Sequence, residues 1–186
     1  MEEYDFNIDK DTNIISWVYN NKRYSIKING LESATITDDK YIFIENVTEN
    51  NEEQQVQLYT LYGEFVFTQN GESGLVSWRN KDNIIKITID ELQDAKIYEK
   101  YMVIVIIKGK KLEETTLIIY SMDGKLICEQ EHPENYYLYY LTSDGDKPAV
   151  ICEGNGKKGS IKYGRSTWKF SINPVTGELL RISVAY

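Results

Sequence analysis

The chain has 186 residues, 41% of them hydrophobic and 27% charged, which suits one globular domain with a core of its own. Its formal net charge of −8 argues against general nucleic-acid binding, because proteins that bind the polyanionic duplex normally carry a basic face.

Nothing in the chain indicates contact with a membrane. The N-terminus "MEEYDFNIDK" lacks the basic and apolar regions of a secretory signal. The longest apolar run, "MVIVII" at 102–107, is too short to span a bilayer.

Cys128 and Cys152 lie inside apolar runs and are interpreted as small buried hydrophobes, with no disulfide required. We therefore expect a cytoplasmic protein.

The chain repeats itself, beginning with "IISWVYNNKRYSIKINGLESATI" at 14–36. This segment superposes without a gap on "LVSWRNKDNIIKITIDELQDAKI" at 75–97. Ser16-Trp17 falls on Ser77-Trp78, an offset of 61 residues (77 − 16). The match extends to both sides, since Gly63 of "LYGEFVF" answers Gly124 of "MDGKLI" at the same offset. Because Trp17 and Trp78 occupy equivalent positions in the repeat, a structural role is favoured for both.

A third, shorter copy ends in "WKFSINPVTGELLRI" at 168–182, with Gly177 at the turn position. Apolar residues stand seven and five positions before each turn glycine, which is the spacing of one buried strand face. They are Val56, Leu117 and Phe170, and Leu58, Ile119 and Ile172. Glycine is expected at a tight turn that requires a positive φ.

Each copy is interpreted as four strands. In the second copy these are "DAKIYE", "YMVIVII", "TTLIIYS" and "KLICEQ", and the first two copies carry an additional "SW…IKI" hairpin. No segment has convincing helical apolar spacing, and "IDELQDAKIYEKY" holds at most one turn. The sequence therefore predicts an all-β protein.

The repeated four-stranded units resemble the blades of a β-propeller, on the evidence of the hairpins "YSMDGKLI" and "NPVTGELL" and of the preceding "DGDKPAVI". This resemblance assigns no family. It implies a propeller-like fold with few blades in one domain, 1–186, with repeats of about 50–61 residues at approximately 2–62, 63–123 and 124–186. A β-trefoil-like fold is the alternative.

No catalytic or metal constellation emerges. His132, the single histidine, lies in the polar segment "EQEHPEN" without a partner set for acid–base or triad chemistry. One His and two separated Cys provide no zinc site. The segment "GNGKKGSIKYGR" at 154–165 fails the phosphate-loop pattern. We predict no catalytic residue, no metal and no cofactor.

The acidic segment "TSDGDKP" at 142–148 spaces Asp144 and Asp146 as in a calcium loop, but the glutamate that closes such a loop is missing. A turn is the preferred interpretation.

The tyrosine cluster "NYYLYYLT" at 135–142 is interpreted as a strand. Alternation places Tyr137 and Tyr139 on one face, with Tyr136, Leu138 and Tyr140 on the other. One face is expected in the core, and an exposed aromatic platform for a protein or a sugar is the functional interpretation.

Three polar loops precede the repeated hairpins and would emerge on one face of a propeller. They are "NVTENNEEQQ" at 46–55, "KGKKLEE" at 108–114 and "GNGKKGSIKYGR" at 154–165. The last two concentrate cations of this acidic protein, and loops on rigid scaffolds are common binding sites. The candidate partner-binding residues are Lys108, Lys110, Lys111, Lys157, Lys158, Lys162 and Arg165, together with Tyr137 and Tyr139.

These features lead us to expect a non-enzymatic module that binds a protein partner through one loop face. One alternative is an immunity or antitoxin-like protein that neutralises a basic toxin, because the acidic surface would steer a basic partner. The other is a carbohydrate-binding or carbohydrate-active protein that uses tyrosines as stacking platforms and a carboxylate pair.

Overall fold

The computed structural model describes residues 5–47, 54–156 and 166–185, and these residues form strands joined by turns. The first nine strands are β1 (Asn7–Asp9), β2 (Ile14–Tyr19), β3 (Lys22–Lys27), β4 (Leu31–Ile36), β5 (Tyr41–Val47), β6 (Gln54–Thr60), β7 (Phe65–Asn70), β8 (Leu75–Asn80) and β9 (Asn83–Thr88). The remaining strands are β10 (Leu92–Tyr98), β11 (Val103–Lys108), β12 (Thr116–Ser121), β13 (Leu126–Glu131), β14 (Tyr136–Asp144), β15 (Lys147–Gly154), β16 (Thr167–Ile172) and β17 (Leu179–Val184).

Helical structure in the described part of the chain is limited to two 3₁₀ turns, Glu99–Tyr101 and Leu112–Glu114. The first falls in the segment predicted to hold at most one helical turn. No helix among the described residues has the length and apolar character that a membrane crossing requires.

The strands form antiparallel meanders in chain order. The sheets run β1-β2-β3, β4-β5-β6-β7-β8-β9, β10-β11-β12-β13 and β14-β15-β16-β17. A four-stranded antiparallel meander is the unit of a propeller blade. The all-β, propeller-like class is thus confirmed, and the strand order favours it over the β-trefoil-like alternative.

The repeat is preserved down to the register of the strand pairs. Asn7 pairs with Ser16 between β1 and β2, and Thr68 pairs with Ser77 between β7 and β8, 61 residues later in both strands. The extra hairpin of the second copy, β8 and β9, continues the meander β4-β5-β6-β7, so that this sheet has six strands.

The chain divides into two compact units, Met1–Ile84 and Ile85–Tyr186. The boundary falls within β9, so it does not coincide with the predicted repeat boundaries. The assignment of 1–186 to a single domain remains a prediction.

Each unit has an apolar core. In the first, Trp17 is fully buried among Ile15, Ile42, Ile44 and Leu61. In the second, sheets β10–β13 and β14–β17 contribute to one cluster. Its members include the residues predicted from the turn glycines, namely Leu117, Ile119, Phe170 and Ile172.

The turn glycines adopt the left-handed conformation that the hairpins require. Gly63, Gly124 and Gly177 have φ of 77°, 83° and 74°. Such values are strained for residues with a Cβ atom. Gly177 is also buried, and an added Cβ would lie 2.8 Å from the Sγ atom of Cys128. The third hairpin therefore packs closely against β13.

The sheet of the first unit also contains a polar ladder, defined as Asn46, Gln55, Gln57, Tyr59 and Thr68. Gln57 Nε2 donates to Asn46 Oδ1 at 2.8 Å, and the Tyr59 hydroxyl donates to Gln57 Oε1 at 2.9 Å. Gln55 Nε2 donates to Thr68 Oγ1 at 3.1 Å. Every buried side-chain N or O atom in the described residues has a partner, as interior polar groups require.

Candidate functional site

Strand β14 presents the predicted tyrosines, but not in simple alternation. Tyr136 and Leu138 are buried, Tyr137 is half-buried, and Tyr139 is 53% exposed. Tyr140 was expected on the face of Leu138, and this prediction is wrong because Tyr140 is 44% exposed. The buried position passes instead to Leu141.

A β-bulge explains the exposure of Tyr140. Leu138 pairs with Cys152 and Tyr140 pairs with Ile151, so that Tyr139 is an additional residue in β14. An inserted residue resets the alternation of the strand beyond it. Tyr139 and Tyr140 therefore stand side by side in solvent, with ring centroids 5.2 Å apart and an interplanar angle of 66°. We call these two residues the tyrosine bulge.

His132 contacts the same strand. Its ring meets the ring of Tyr137 edge to face, with centroids 5.2 Å apart, and its Nδ1 lies 3.3 Å from the carbonyl oxygen of Pro133. Tyr137 is thus partly covered by this imidazole, which leaves the tyrosine bulge as the exposed aromatic element of the strand.

The predicted lysines of the second copy lie between β11 and β12, in residues 108–115, which we call the lysine loop. Lys108 Nζ is 2.9 Å from Glu129 Oε1, so this charge is compensated within the sheet. Lys110 and Lys111 are exposed. Neither lysine forms an ion pair with another described residue, so both cations can meet an external carboxylate.

Both ends of the lysine loop are fixed by hydrogen bonds. The Gly109 amide donates to the carbonyl of Glu91 at 2.9 Å, and the Gly109 carbonyl accepts from Gln93 Nε2 at 2.6 Å. The Glu114 amide donates to the carbonyl of Lys111 at 3.0 Å and closes the 3₁₀ turn. The loop has a defined conformation as a result.

Thr115 joins the lysine loop to the tyrosine strand. Its side chain is 1% exposed, and its Oγ1 atom accepts a 3.1 Å hydrogen bond from the backbone amide of Leu138. The 3₁₀ turn Leu112–Glu114 also packs against β14. Two groups of candidates that are separate in sequence, the lysines and the tyrosines, therefore lie on adjoining segments of one unit.

Sequence reasoning missed two residues that shape this site, Thr115 and Asp94. Asp94 Oδ2 accepts a 2.7 Å hydrogen bond from the backbone amide of Leu141. Thr115 is 23 residues away from its donor Leu138, and Asp94 is 47 residues away from its donor Leu141. No local pattern carries a signal at such separations.

The other predicted cations lie outside the described residues. They are Lys157, Lys158, Lys162 and Arg165 of the loop between β15 and β16. Their place beside the lysine loop remains a prediction.

The acidic turn between β14 and β15 is occupied by lysines from its own unit. Lys169 Nζ donates to the carbonyl of Ser143 at 2.9 Å and lies 3.4 Å from Asp144, and Lys100 pairs with Asp146. The hydrogen bond from Lys100 lowers the pKa of Asp146. Among the described residues, no group of three His, Cys, Asp or Glu side chains forms a metal site.

Comparison with solved structures gives matches of low sequence identity and low TM-score. No family model and no curated protein matches the chain. A protein of unknown function from Bacteroides caccae is 7% identical with a TM-score of 0.43, and the alignment covers 92% of this chain and 76% of that one.

Two further solved structures are comparable. The β-propeller domain of the Trilobed protease from Pyrococcus furiosus, with an open velcro topology, is 13% identical (TM-score 0.45, 97% of this chain and 52% of that one). A functionally unknown protein from Desulfotomaculum acetoxidans is 12% identical (TM-score 0.34, 95% and 49%). The chain spans about half the length of these two. The assignment of blade-like sheets is based on the order in which the strands of this chain pair.

Proposed function

We propose that the protein is a non-enzymatic interaction module that binds a protein partner through the tyrosine bulge and the lysine loop. The observation that carries the proposal is the hydrogen bond between the Leu138 amide and Thr115 Oγ1, which ties the two segments together. Tyrosine is enriched in protein interfaces because it offers a large contact area at a low cost in conformational entropy.

The chemistry of the two segments indicates what the partner presents. Lys110 and Lys111 are complementary to carboxylates, and the exposed rings of Tyr139 and Tyr140 suit aliphatic or aromatic side chains. The proposed partner is therefore a protein with an acidic segment that also carries apolar residues. The two free thiols, Cys128 and Cys152, are compatible with action in the reducing cytoplasm.

The test compares affinity capture from native lysate by wild-type protein and by variants of the site. Tyr139→Ser with Tyr140→Ser, and separately Lys110→Glu with Lys111→Glu, should each abolish recovery of a protein that the wild type retains. Tyr62→Ser is a matched control, because Tyr62 is 55% exposed and Tyr139 is 53% exposed. Lys27→Glu with Lys86→Glu controls for the change in charge at exposed lysines of other strands.

Cross-linking then establishes the chemistry of the contact. A zero-length carbodiimide reagent should join Lys110 or Lys111 to an Asp or Glu of the captured protein. Equal capture by the site variants and the controls, or cross-links confined to other surfaces, would contradict the proposal.

The net charge of −8 favours a second candidate, an immunity or antitoxin-like protein for a basic toxin. This function makes the opposite prediction for charge reversal. Lys110→Glu with Lys111→Glu should then strengthen capture, because it removes two like charges that face the partner.

The exposure of Tyr139 and Tyr140 favours a third candidate, a carbohydrate-binding protein. Its test is a change of intrinsic fluorescence upon titration with glycans, lost in Tyr139→Ser and retained in Tyr62→Ser. A flat titration across neutral and acidic glycans would exclude this candidate for the glycans tested.

A further inference from the structure

The tyrosine bulge lies in a strand at the edge of its sheet. β14 is the first strand of its sheet and pairs with β15 on one side. The backbone amides of Leu138 and Leu141 flank the bulge, and they donate to the side chains of Thr115 in the lysine loop and of Asp94 in β10, both in the same unit. Unsatisfied amides on a packed edge would be costly, so these two acceptors stabilise this particular path of the backbone.

The two acceptors lie at irregular positions of the backbone, and Thr115 is itself held by a hydrogen bond. Thr115 Oγ1 donates to the carbonyl of Leu112 at 2.9 Å, which orients its lone pairs towards β14. Asp94 follows an irregularity in β10, where the pairing register shifts between Leu92 and Asp94. Thr115 thus reaches β14 from the end of a 3₁₀ turn, and Asp94 reaches it from an irregular part of β10.

The repeat does not impose these residues. The positions 61 residues earlier hold Ser33 in place of Asp94 and Gln54 in place of Thr115. Ser33 Oγ donates to Glu45 Oε2 at 2.6 Å within its own sheet, so it has a different role. The acceptor pair is therefore particular to the copy that faces the tyrosines.

We infer that Asp94 and Thr115 are positioning residues that hold the tyrosine bulge in its binding conformation before the partner arrives. This inference rests on the proposed function, because it concerns the same contact surface. Preorganisation lowers the entropic cost of binding, since the two rings and their backbone are already ordered.

The test compares, at each of the two positions, a variant without an acceptor oxygen and a conservative variant that keeps one. Asp94→Ala and Thr115→Val remove an acceptor, whereas Asp94→Asn and Thr115→Ser retain an oxygen at the same position. Amide hydrogen exchange should accelerate about tenfold at Leu141 in Asp94→Ala and at Leu138 in Thr115→Val, the factor that corresponds to one ordinary hydrogen bond. The NMR signals of the Tyr139 and Tyr140 rings should shift in these two variants and stay near wild type in the conservative ones.

Two controls separate local from global effects. Denaturant unfolding of each variant gives its overall stability, and exchange at the core amides of Ile104 and Ile106 on β11 should follow that value alone. Asp90→Ala changes an exposed carboxylate just before β10 and should leave the bulge signals unchanged.

The outcomes distinguish this inference from the proposed function. Unchanged exchange and ring signals in Asp94→Ala and Thr115→Val would overturn the inference, whatever the capture experiment yields. Capture that is lost with the tyrosine variants and undiminished with Asp94→Ala would overturn it and leave the proposed function standing. Absence of any tyrosine-dependent capture would overturn the proposed function, and with it the binding role assigned to Asp94 and Thr115.

Discussion

The indole Nε1 of Trp17 donates a 2.8 Å hydrogen bond to the carbonyl oxygen of Leu61, 44 residues further along the chain. Trp17 is fully buried, so Trp17→Phe would remove ring volume from the core and leave this carbonyl without its donor. We expect the free energy of unfolding to fall by about 2–4 kcal/mol. Chemical denaturation followed by circular dichroism measures the change.

The matched control for this substitution is Tyr24→Phe. Tyr24 stacks on Trp17 with centroids 5.9 Å apart, and the substitution keeps its ring. We expect a loss below about 0.5 kcal/mol. Equal losses for the two variants would contradict the role assigned to the Trp17–Leu61 hydrogen bond.

Gly177→Ala should destabilise the second unit for two separable reasons. The left-handed backbone costs about 1–2 kcal/mol for a residue with a Cβ, and the added atom would lie 2.8 Å from Cys128 Sγ. Gly145→Ala isolates the first cost, because Gly145 has φ of +61° with nothing within 4 Å of the added Cβ. Thermal unfolding should show a larger loss for Gly177→Ala, reduced when Cys128→Ala is added.

The stability of the protein should be sensitive to substitution of Asn46 in the polar ladder. Asn46 is 5% exposed and accepts from Gln57 at 2.8 Å, so Asn46→Ala leaves the half-buried amide donor of Gln57 without this partner. We expect a loss of about 1–3 kcal/mol in denaturant unfolding. Asn83→Ala, at an exposed position of β9, is the control and should change stability little. Similar values for the two would indicate that the ladder adds nothing to stability.

Asp123 should titrate in an unusually acidic range. Hydrogen bonds from Lys125 and then Ser121 lower the pKa of Asp123 from 3.8 to about 2. Because the folded pKa is depressed, the stabilising contribution is complete above about pH 4 and is lost as the pH falls towards 2. Carbon-detected NMR titration of the carboxyl group measures the pKa. Lys125→Ala should raise it, and an unchanged value would refute the assigned cause.

The two thiols should differ in reactivity. Burial raises the pKa of Cys152 to about 12, whereas Cys128 is half-buried and its pKa is raised by a smaller desolvation. The thiolate is the reactive form, so iodoacetamide should label native Cys128 slowly and spare Cys152. Mass spectrometry of tryptic peptides gives the site, and labelling in denaturant provides the control. Faster labelling of Cys152 than of Cys128 would contradict its burial.

The strands were predictable because the repeat supplies the same pattern more than once. The apolar residues before Gly124 and Gly177 fix the buried face of β12 and β16, and Leu117 and Phe170 both lie in the core. The turn glycines were predictable for a local reason, the positive φ that a tight hairpin requires.

The tyrosine bulge was not predictable, because period-2 alternation fails when one residue is inserted. Nothing in "NYYLYYLT" indicates whether Tyr139 or another residue is the additional one. The choice is made by Asp94 and Thr115, which accept from Leu141 and Leu138 across large sequence separations. The pattern within one strand contains no information about acceptors that lie in distant segments of the chain.

The same two acceptors also hinder the addition of a further strand to the β14–β17 sheet at β14. A strand that arrives at β14 would have to displace Thr115 from Leu138 and Asp94 from Leu141 before it could form its own ladder. β17 lies at the opposite end of this sheet and exposes Leu180 and Ile182. The side chains that satisfy these two amides thus oppose misregistered self-association through β14.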